Sequence, residues 1–492
     1  MSGPFKSLIK ETAIYGVSSI FGRFLNYLLV PLYTAVFTDP SDYGVVSELY
    51  AWVAFLLVLL TFGMETAYFR FLQESEDKQK TFRNALWSVT IVSTLFALSV
   101  FLFFQEIADA LLFGEHPEYI VLLSVIVLVD AMSALPLAKL RAEKKAFKFA
   151  GIQLSSIAVN IFLNLGLMLF LFDASRPDEG VIFILLANLC ASFIKPLFFK
   201  QDFSQLLRLP DVAGLKSMIL YAAPLVLAGF AGIINEMLDR IMLKQMLFDS
   251  GSVGSLHYAE SQVGIYSASY KLAMLITIFI QAYRYAAEPF FFNQYTNENK
   301  NQIYVKVMNV FVAVVAFFFL GVSVNLDVLK YFIQNESYWE GLQIVPVLLL
   351  ANVFLGIYIN QSIWYKLSNQ TQFGLYIALV GAAITIAGNY VLIPTYGYVA
   401  CAWVTMFVYG IQMALSYFLG QLYYPIPYNL KRIFLYIGVS VAIFFVVGYL
   451  PKGNFVIQMV LGNLFILLFA AVVFRLEFRQ SIGGLLRNEN KQ

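Results

Sequence analysis

Charged residues are scarce in this sequence. Only 13% of its 492 residues are Asp, Glu, Lys or Arg, whereas 60% are hydrophobic. Soluble domains typically carry about 25% charged and 45–50% apolar residues. The deficit excludes an ordinary water-soluble domain, because so many apolar side chains require a non-aqueous solvent. The formal net charge of +2 gives no strong overall field for nucleic acid, so none is expected as a partner.

Cysteine and histidine are rarer still, with two of each. Cys190 and Cys401 both lie inside apolar runs, where a cysteine is typically a small core residue rather than half of a disulfide or redox pair. His116 and His257 lie in separate loops and make no metal-ligand cluster. We therefore predict no metal site and no cofactor, apart from H⁺ or Na⁺ as a coupling ion.

Long hydrophobic runs, by contrast, recur along the whole chain. Each covers about 20 residues, enough to cross a hydrocarbon core about 30 Å thick. Membrane β-strands would instead alternate over about ten residues. We predict an all-α integral membrane protein with about fourteen transmembrane helices. The predicted spans are 11–36, 44–70, 83–104, 118–138, 149–172, 179–199, 217–247, 261–290, 304–326, 341–364, 372–394, 397–420, 432–450 and 454–474.

The distribution of basic residues predicts the orientation. With both termini in the cytoplasm, the inside segments hold 23 Lys and Arg residues, and the outside segments hold only Arg176, Lys330 and Lys452. This is the bias that the positive-inside rule requires. The first span is too long for a cleavable signal, so we expect it to remain as an anchor.

A weak internal repeat divides the chain. The segments 43–50 (YGVVSELY) and 263–270 (VGIYSASY) align at an offset of 220 residues, with Gly44 on Gly264. The repeat predicts two pseudo-symmetric six-helix bundles. The predicted domains are 1–200, a cytoplasmic linker 201–216, 217–421, an additional helix pair 430–475 and a cytoplasmic tail 476–492.

The rare charges inside the spans are the candidate functional residues, because a charge at mid-bilayer costs about 2.5–3.5 kcal/mol and faces protein or water. Arg23 lies near the middle of span one. Gly16, Ser19, Asn26 and Tyr27 share its helical face, which predicts a polar stripe. A purely structural Arg–carboxylate pair is the alternative interpretation.

Further charges lie in spans four, seven and eight. Asp130 in span four is a candidate for pairing or protonation, and Lys271 lies about ten residues into span eight. The outer half of span seven carries Asn235, Glu236, Asp239, Arg240 and Lys244. Glu236 and Arg240 are spaced to pair at i,i+4. Structural pairing and ion coupling both remain open for this group.

The cytoplasmic ends of spans two and eight carry similar charges. Glu65 and Arg70 occupy one end, and Arg284 and Glu288 occupy the other. We consider a cytoplasmic gate of ion pairs, with interfacial anchoring of the two arginines as the alternative.

Amides form a second polar pattern. Asn160 and Asn164 follow Gln153 and Ser156 on one face of span five, and Asn389 lies in span eleven. Such residues either join helices by hydrogen bonds or line a cavity.

Three segments carry a family resemblance: 11–52, with its LVPLY and DYG arrangement; 262–273 (QVGIYSASYKLA); and 389–405 (NYVLIPTYGYVACAWVT). On these segments the chain resembles the multidrug/oligosaccharidyl-lipid/polysaccharide (MOP) exporter superfamily, specifically the polysaccharide repeat-unit flippases. The resemblance implies a V of two bundles around a central cavity. It also implies transfer of an undecaprenyl-pyrophosphate-linked oligosaccharide across the bacterial inner membrane by alternating access.

The resemblance further implies residue roles. Cationic residues on the first and eighth helices of related lipid II flippases contact the pyrophosphate, and Arg23 and Lys271 match those positions by span. The last two helices are expected to form a groove for the lipid tail. The candidate substrate-binding residues are Arg23, Asn26, Tyr27, Asn160, Asn164, Tyr270 and Lys271.

The candidate coupling or gating residues are Glu65, Arg70, Asp130, Glu236, Asp239, Arg240, Arg284, Glu288 and Asn389. Expected partners are the lipid-linked glycan, membrane lipid, a polysaccharide polymerase and glycosyltransferases.

Several alternatives remain open. A multidrug cation antiporter would favour an acidic cavity, and the acids of span seven are consistent with one. A lipid II flippase would work by the same mechanism as a repeat-unit flippase. A membrane glycan polymerase or ligase would be an enzyme and would need a sizeable catalytic outside loop, whereas the outside loops here are short. We expect a transporter and no enzyme.

Overall fold

The structure is a computed structural model in which residue 16 and residues 20–248, 255–295, 297–449 and 455–477 are described. Ser19 of the predicted polar stripe, and all but the first two residues of the predicted tail 476–492, lie outside these residues. Within the described part, thirteen helices are long and apolar enough to cross a membrane, and a shorter apolar helix precedes them. The protein is a multi-pass, all-α integral membrane protein, as predicted.

The apolar helices follow the predicted spans closely, and we number them α1 to α14. Their bounds are α1 Ile20–Val36, α2 Pro40–Glu74, α3 Lys78–Leu102, α4 Pro117–Ala142, α5 Ala146–Phe170, α6 Pro177–Leu197, α7 Val212–Leu247, α8 Ser255–Gln294, α9 Lys300–Val324, α10 Glu336–Leu367, α11 Gln372–Tyr396, α12 Tyr398–Tyr423, α13 Leu430–Gly448 and α14 Phe455–Glu477. Short helical segments, Phe104–Ala110, Lys200–Phe203, Ser204–Leu207, Leu326–Leu329 and Lys330–Phe332, lie between them.

Local sequence explains where several helices begin. α2, α4 and α6 each start on a proline, which lacks the N–H group that a first helical turn leaves unpaired. Asp39 caps α2 by accepting a hydrogen bond from the Ser41 N–H, and Asp77 caps α3 in the same way. These caps fix the short connections between the early spans.

The predicted second span, 44–70, is not one continuous helix. α2 breaks at Phe62 and Gly63, which adopt positive φ values of 31° and 71°. At Gly63, a Cβ would lie 2.8 Å from the Cβ of Leu225 in α7. Glycine permits both the left-handed backbone and this close approach. Helical periodicity did not reveal the break, because a glycine inside an apolar run is common in membrane helices.

The predicted linker 201–216 is held against α3. The Trp87 indole N–H donates to the carbonyl of Arg208 at 2.9 Å, and the Asp211 N–H donates to the Asn84 side chain at 2.9 Å. Lys80 pairs with the Asp211 carboxylate at 3.3 Å. The linker is therefore an ordered connection, and Asp211 caps α7 at its end.

The backbone groups into two compact units. The first contains Met1–Ser267 and Ala382–Cys401, and the second contains Ala268–Gly381 and Ala402–Gln492. The boundaries fall inside α8, α11 and α12, so α7 and the start of α8 belong to the first unit. The predicted division into bundles at the linker stays a prediction.

Candidate functional site

The polar face of α1 lies opposite its apolar surface. Phe21, Phe24 and Leu28 are exposed and share one side of the helix. Arg23 and Asn26 are also exposed, but the helical repeat of 100° per residue puts them on the opposite side. Among the residues that the structure describes, the Arg23 guanidinium has no ion-pair or hydrogen-bond partner. α1 therefore offers an unpaired cation away from its apolar face.

A chain of hydrogen bonds joins this face to α5. The Tyr33 hydroxyl donates to the Asn164 side chain at 2.9 Å, and Asn164 donates to the Asn160 side chain at 3.0 Å. Asn160 in turn donates to the Asn26 side chain at 3.4 Å. Asn164 is fully buried, whereas Asn26 is exposed. The buried amides thus join α1 to α5. Asn26, the exposed end of this series of hydrogen bonds, lies one helical turn from Arg23.

The other predicted substrate contacts are more enclosed. Tyr27 and Tyr270 are buried, with 7% and 6% exposure, and Lys271 is half-buried. In this conformation the two tyrosines are covered by protein. Lys271 belongs to the second compact unit and Arg23 to the first.

The charges of α7 form a buried pair. The Arg240 guanidinium donates to the Asp239 carboxylate at 2.8 Å and to the backbone carbonyl of Glu236 at 3.0 Å. The Tyr266 hydroxyl of α8 also donates to Asp239. The predicted pairing of Glu236 with Arg240 thus involves the Glu236 carbonyl, and the Glu236 side chain is exposed. One cation balances one anion here.

A second buried cluster on the same helices is not balanced. The Lys244 ammonium of α7 lies 3.1 Å from a carboxylate oxygen of Glu48 in α2 and 3.1 Å from one of Glu260 in α8. The side chains of Lys244 and Glu48 are 0% and 1% exposed, and that of Glu260 is 14% exposed. We call Glu48, Lys244 and Glu260 the buried triad. It holds two carboxylates for one ammonium.

α2 and α8 meet beside the buried triad at the two glycines that the sequence repeat aligned. A Cβ at Gly44 would overlap the carbonyl oxygen of Glu260, and a Cβ at Gly264 would overlap that of Pro40. Only residues without a side chain permit helix backbones to approach so closely. This is the Gly44–Gly264 crossing. It brings the start of α2 against the second and third turns of α8.

Asp130 is paired, which was one of its two predicted roles. The Lys195 ammonium of α6 lies 2.8 Å from the Asp130 carboxylate of α4, and both side chains are mostly buried. The pair joins two neighbouring helices of the first unit.

The predicted cytoplasmic charges also have partners. Glu65 pairs with Arg141 at 2.5 Å, and Arg70 with Glu74 at 3.2 Å. In the second unit, Glu288 accepts from Lys366 at 2.5 Å and from Arg284 at 3.0 Å. Glu65–Arg141 joins α2 to α4, and Glu288–Lys366 joins α8 to α10. Each unit therefore contains an ion pair that joins two of its helices.

Asn389 of α11 is 1% exposed, and its side-chain oxygen has no hydrogen-bond partner among the described residues. One turn earlier, the Thr385 hydroxyl donates to the Asn235 side chain of α7 at 3.1 Å. Polar groups of α11 thus tie it to α7 within the first unit.

Comparison with known proteins identifies the family. The model of the family described as "Polysaccharide biosynthesis protein" matches residues 8–295, more than half of the chain. The chain belongs to this family. It is also 22% identical over 295 residues to "Lsg locus putative protein 1" of Haemophilus influenzae, a match that covers 58% of this chain and 66%, just under two thirds, of that relative.

Solved structures share the fold of this family member. The lipid II flippase MurJ, in an inward closed conformation, superimposes with a TM-score of 0.68 at 16% identity, over 94% of this chain and 98% of that one. A multidrug resistance MATE family transporter of the MOP superfamily, in an inward-facing conformation, superimposes with a TM-score of 0.61 at 13% identity, over 85% and 97%. At these identities the likeness establishes the fold alone: the chain has the MurJ and MATE fold.

An apolar cavity lies on the second unit of this family member, between α9 and α14. Its volume is about 280 Å³. Glu477 lies at its margin, where its carboxylate pairs with Arg432 at 2.9 Å and accepts a hydrogen bond from the Tyr436 hydroxyl at 2.5 Å. The lining residues are Val310, Ala313, Val314, Phe317, Phe469, Ala470, Val473, Phe474 and Glu477.

Sequence reasoning missed two members of the buried triad. Glu48 lies inside a predicted span, so the search for charges within spans had the signal needed to find it. Glu260 lies one residue before the predicted start of span eight and was assigned to a loop. The structure shows that α8 begins at Ser255, which draws Glu260 into the helix.

Proposed function

We propose that the protein is a flippase that moves an undecaprenyl-pyrophosphate-linked oligosaccharide from the cytoplasmic to the periplasmic leaflet of the bacterial inner membrane. Both termini lie in the cytoplasm in this proposal, as the distribution of basic residues predicts. The transfer proceeds by alternating access. No covalent bond of the substrate changes, so the protein is a transporter and no enzyme.

The observation that carries the proposal is the exposed guanidinium of Arg23, which has no partner among the residues that the structure describes. A charged side chain in an apolar helix avoids lipid, so its polar face turns toward water or substrate. The exposed phenylalanines of the same helix lie on the opposite side. A pyrophosphate needs positive charge in a partly desolvated site, and the planar fork of arginine suits its oxygens. Lys271 is the proposed second cationic contact.

The amides beside Arg23 suit the glycan. Asn26 is exposed, and Asn160 reaches it from α5. Carboxamides both donate and accept hydrogen bonds, as sugar hydroxyls do. The buried Tyr33–Asn164 contact holds the α1 and α5 backbones in register, so that Asn26 and Asn160 are presented together.

The lipid tail is assigned to the apolar cavity between α9 and α14. Polyprenyl chains are wholly apolar, and so is nearly all of the cavity lining. Since the tail can remain in contact with the membrane, only the pyrophosphate and sugars need a polar route. Polymerase and glycosyltransferases are then the partners that consume and supply the substrate.

A lipid II flippase and a multidrug antiporter are the alternatives. Lipid II carries the same pyrophosphate, so Arg23 would bind either substrate. A lipid II flippase and a repeat-unit flippase are distinguished by which lipid-linked sugar is moved. An antiporter of organic cations is disfavoured by a free guanidinium on the polar face, because like charges repel. Coupling to a proton or sodium gradient is part of the proposal. If the transport rate is unchanged when both gradients are collapsed, the coupling is wrong.

The test is made in the cell that encodes the protein. Deletion of the gene should trap lipid-linked repeat units on the cytoplasmic leaflet, detected by their inaccessibility to a glycan-cleaving enzyme added to the periplasmic side. Re-expression of the wild-type protein should release them. Normal surface glycan in the deletion strain, or accumulation of lipid II instead, would overturn the assignment.

A further inference from the structure

The buried triad has a charge imbalance that its surroundings do not correct. The Lys244 nitrogen lies 3.1 Å from one carboxylate oxygen of Glu48 and 3.1 Å from one of Glu260, and it donates a hydrogen bond to the backbone carbonyl of Leu112 at 3.4 Å. The Phe113 ring lies 3.5 Å from the same nitrogen. With Lys244 as an ammonium and both carboxylates ionised, the triad would carry a net charge of −1.

The excess charge is deeply enclosed. Glu48 receives one further donor, the indole N–H of Trp52 at 3.3 Å, which is neutral. An ionised carboxylate without a compensating cation is strongly disfavoured in such a site, and the group usually takes up a proton instead. Asp239 and Arg240 on the same helix provide the contrast, because there one cation balances one anion.

Among the described residues, no other titratable group supplies the missing cation by direct contact. His257 of α8 is hydrogen-bonded to Asp39, and His116 to Glu118. Both histidines interact with Glu260 only at longer range, and Asp42 of α2 is a further carboxyl group in the same region. Other titratable groups on the packed elements include Tyr43, Tyr119, Tyr266, Asp178, Asp239 and Arg240.

From this geometry we infer that Glu48, Lys244 and Glu260 form a site that binds one proton while α2 and α8 are in contact at the Gly44–Gly264 crossing. One proton from solution binds to one of the two carboxylates, which becomes neutral, and no other group changes charge. The site is enclosed because α2, α7 and α8 each contribute one member.

The crossing makes proton binding depend on conformation. Glu48 follows Gly44 by one helical turn, and Glu260 precedes Gly264 by one turn. Separation of α2 from α8 at the glycines therefore draws the two carboxylates apart and admits water. An ionised carboxylate is stable in water, so the proton leaves. Contact between α2 and α8 at the glycines and protonation of the triad are then linked.

A role of the triad in coupling rests on the proposed function, but proton binding by the triad does not. Proton binding is measured on purified full-length protein without substrate, at neutral pH. The readout is the deuterium-sensitive infrared stretch of protonated buried carboxyl groups. The wild type should show this band. Glu48→Gln and Glu260→Gln should each remove or shift it, because either leaves one carboxylate for one ammonium.

Glu477→Gln is the matched control, since Glu477 is a buried carboxylate that already pairs with Arg432. It should leave the band unchanged. Absence of the band in the wild type would overturn the inference. So would a band in both triad variants that is identical to the wild-type band. If one triad variant fails to fold, the other decides the outcome.

A transport measurement then separates this inference from the proposed function. If the band behaves as expected but the wild type moves no lipid-linked glycan, the proton site stands and the proposed function fails. If the wild type moves the glycan and the band is absent, the proposed function stands and the proton site fails.

Discussion

Gly44 and Gly264, which are 220 residues apart in the sequence, meet backbone to backbone where the start of α2 crosses α8. The predicted repeat aligns the two residues, and neither leaves room for a Cβ beside the other helix. We propose that the contact is a closure, made possible at both positions by the lack of a side chain. The buried triad lies one turn away and depends on it.

Gly44→Ala should weaken this closure. The added Cβ overlaps the carbonyl of Glu260, and overpacking costs about 1–3 kcal/mol, which lowers the population of the closed end by about 5- to 150-fold. Distances between spin labels at positions 38 and 258 report the closure, once Cys190 and Cys401 are replaced. Gly166→Ala, where a Cβ meets nothing within 4 Å, is the control. An unchanged distance distribution in Gly44→Ala would contradict the account.

Gly63→Ala should destabilise the protein at the break in α2. An alanine in the left-handed region costs about 1–2 kcal/mol, and its Cβ would also approach Leu225 at 2.8 Å. The thermal midpoint of unfolding in detergent measures the loss. Gly166→Ala serves again as the comparison, because alanine is favoured over glycine within a regular helix. Equal midpoints for Gly63→Ala and the wild type would show that the break is unimportant.

Asp130→Asn should destabilise the first unit by about 3–5 kcal/mol, because it leaves the mostly buried Lys195 without its carboxylate. Replacing both residues, as Asp130→Asn with Lys195→Met, should recover most of the loss. A double-mutant cycle of unfolding free energies measures the coupling. A coupling energy near zero would show that the pair contributes nothing beyond its two members.

Asp39 links acid pH to the start of α2. Burial opposes ionisation, but hydrogen bonds from Ser41 and the His257 ring hold the pKa of Asp39 below its usual value. A lowered pKa in the folded state stabilises the protein above the unfolded pKa of about 4, and this contribution is lost as the pH falls. Asp39→Ala should therefore be less stable at neutral pH and converge on the wild type in acid. Parallel curves of stability against pH would refute this.

The sequence predicted the fold to the level of its helices, because apolar runs of membrane-spanning length are set by local composition. It also aligned Gly44 with Gly264, although the alignment did not show that the two residues touch. The buried triad was beyond its reach, since Glu48 and Lys244 are 196 residues apart and only the folded chain brings them together. The break at Gly63 was missed because glycine occurs freely in membrane helices.

Arg23 could be selected from the sequence because a lone cation in an apolar run is costly. The sequence could not show that Arg23 lacks a carboxylate partner among the described residues, since pairing depends on side chains from other helices. Asp130 illustrates the converse: the same reasoning selected it, and the structure gives it Lys195 as a partner. Buried charges are thus easy to locate in sequence, and their partners are not.

The most direct test of the account is flipping by purified protein in liposomes that carry a fluorescent undecaprenyl-pyrophosphate-linked oligosaccharide. The wild type should move the lipid between leaflets. Arg23→Ala should slow the movement by about 10- to 150-fold, the value of a charge-assisted hydrogen bond of about 1.5–3 kcal/mol, and Arg23→Lys should recover part of the rate. Arg176→Ala, which removes an exposed cation paired with Glu179, should match the wild type. No movement by the wild type, or equal rates for the wild type and Arg23→Ala, would contradict the account.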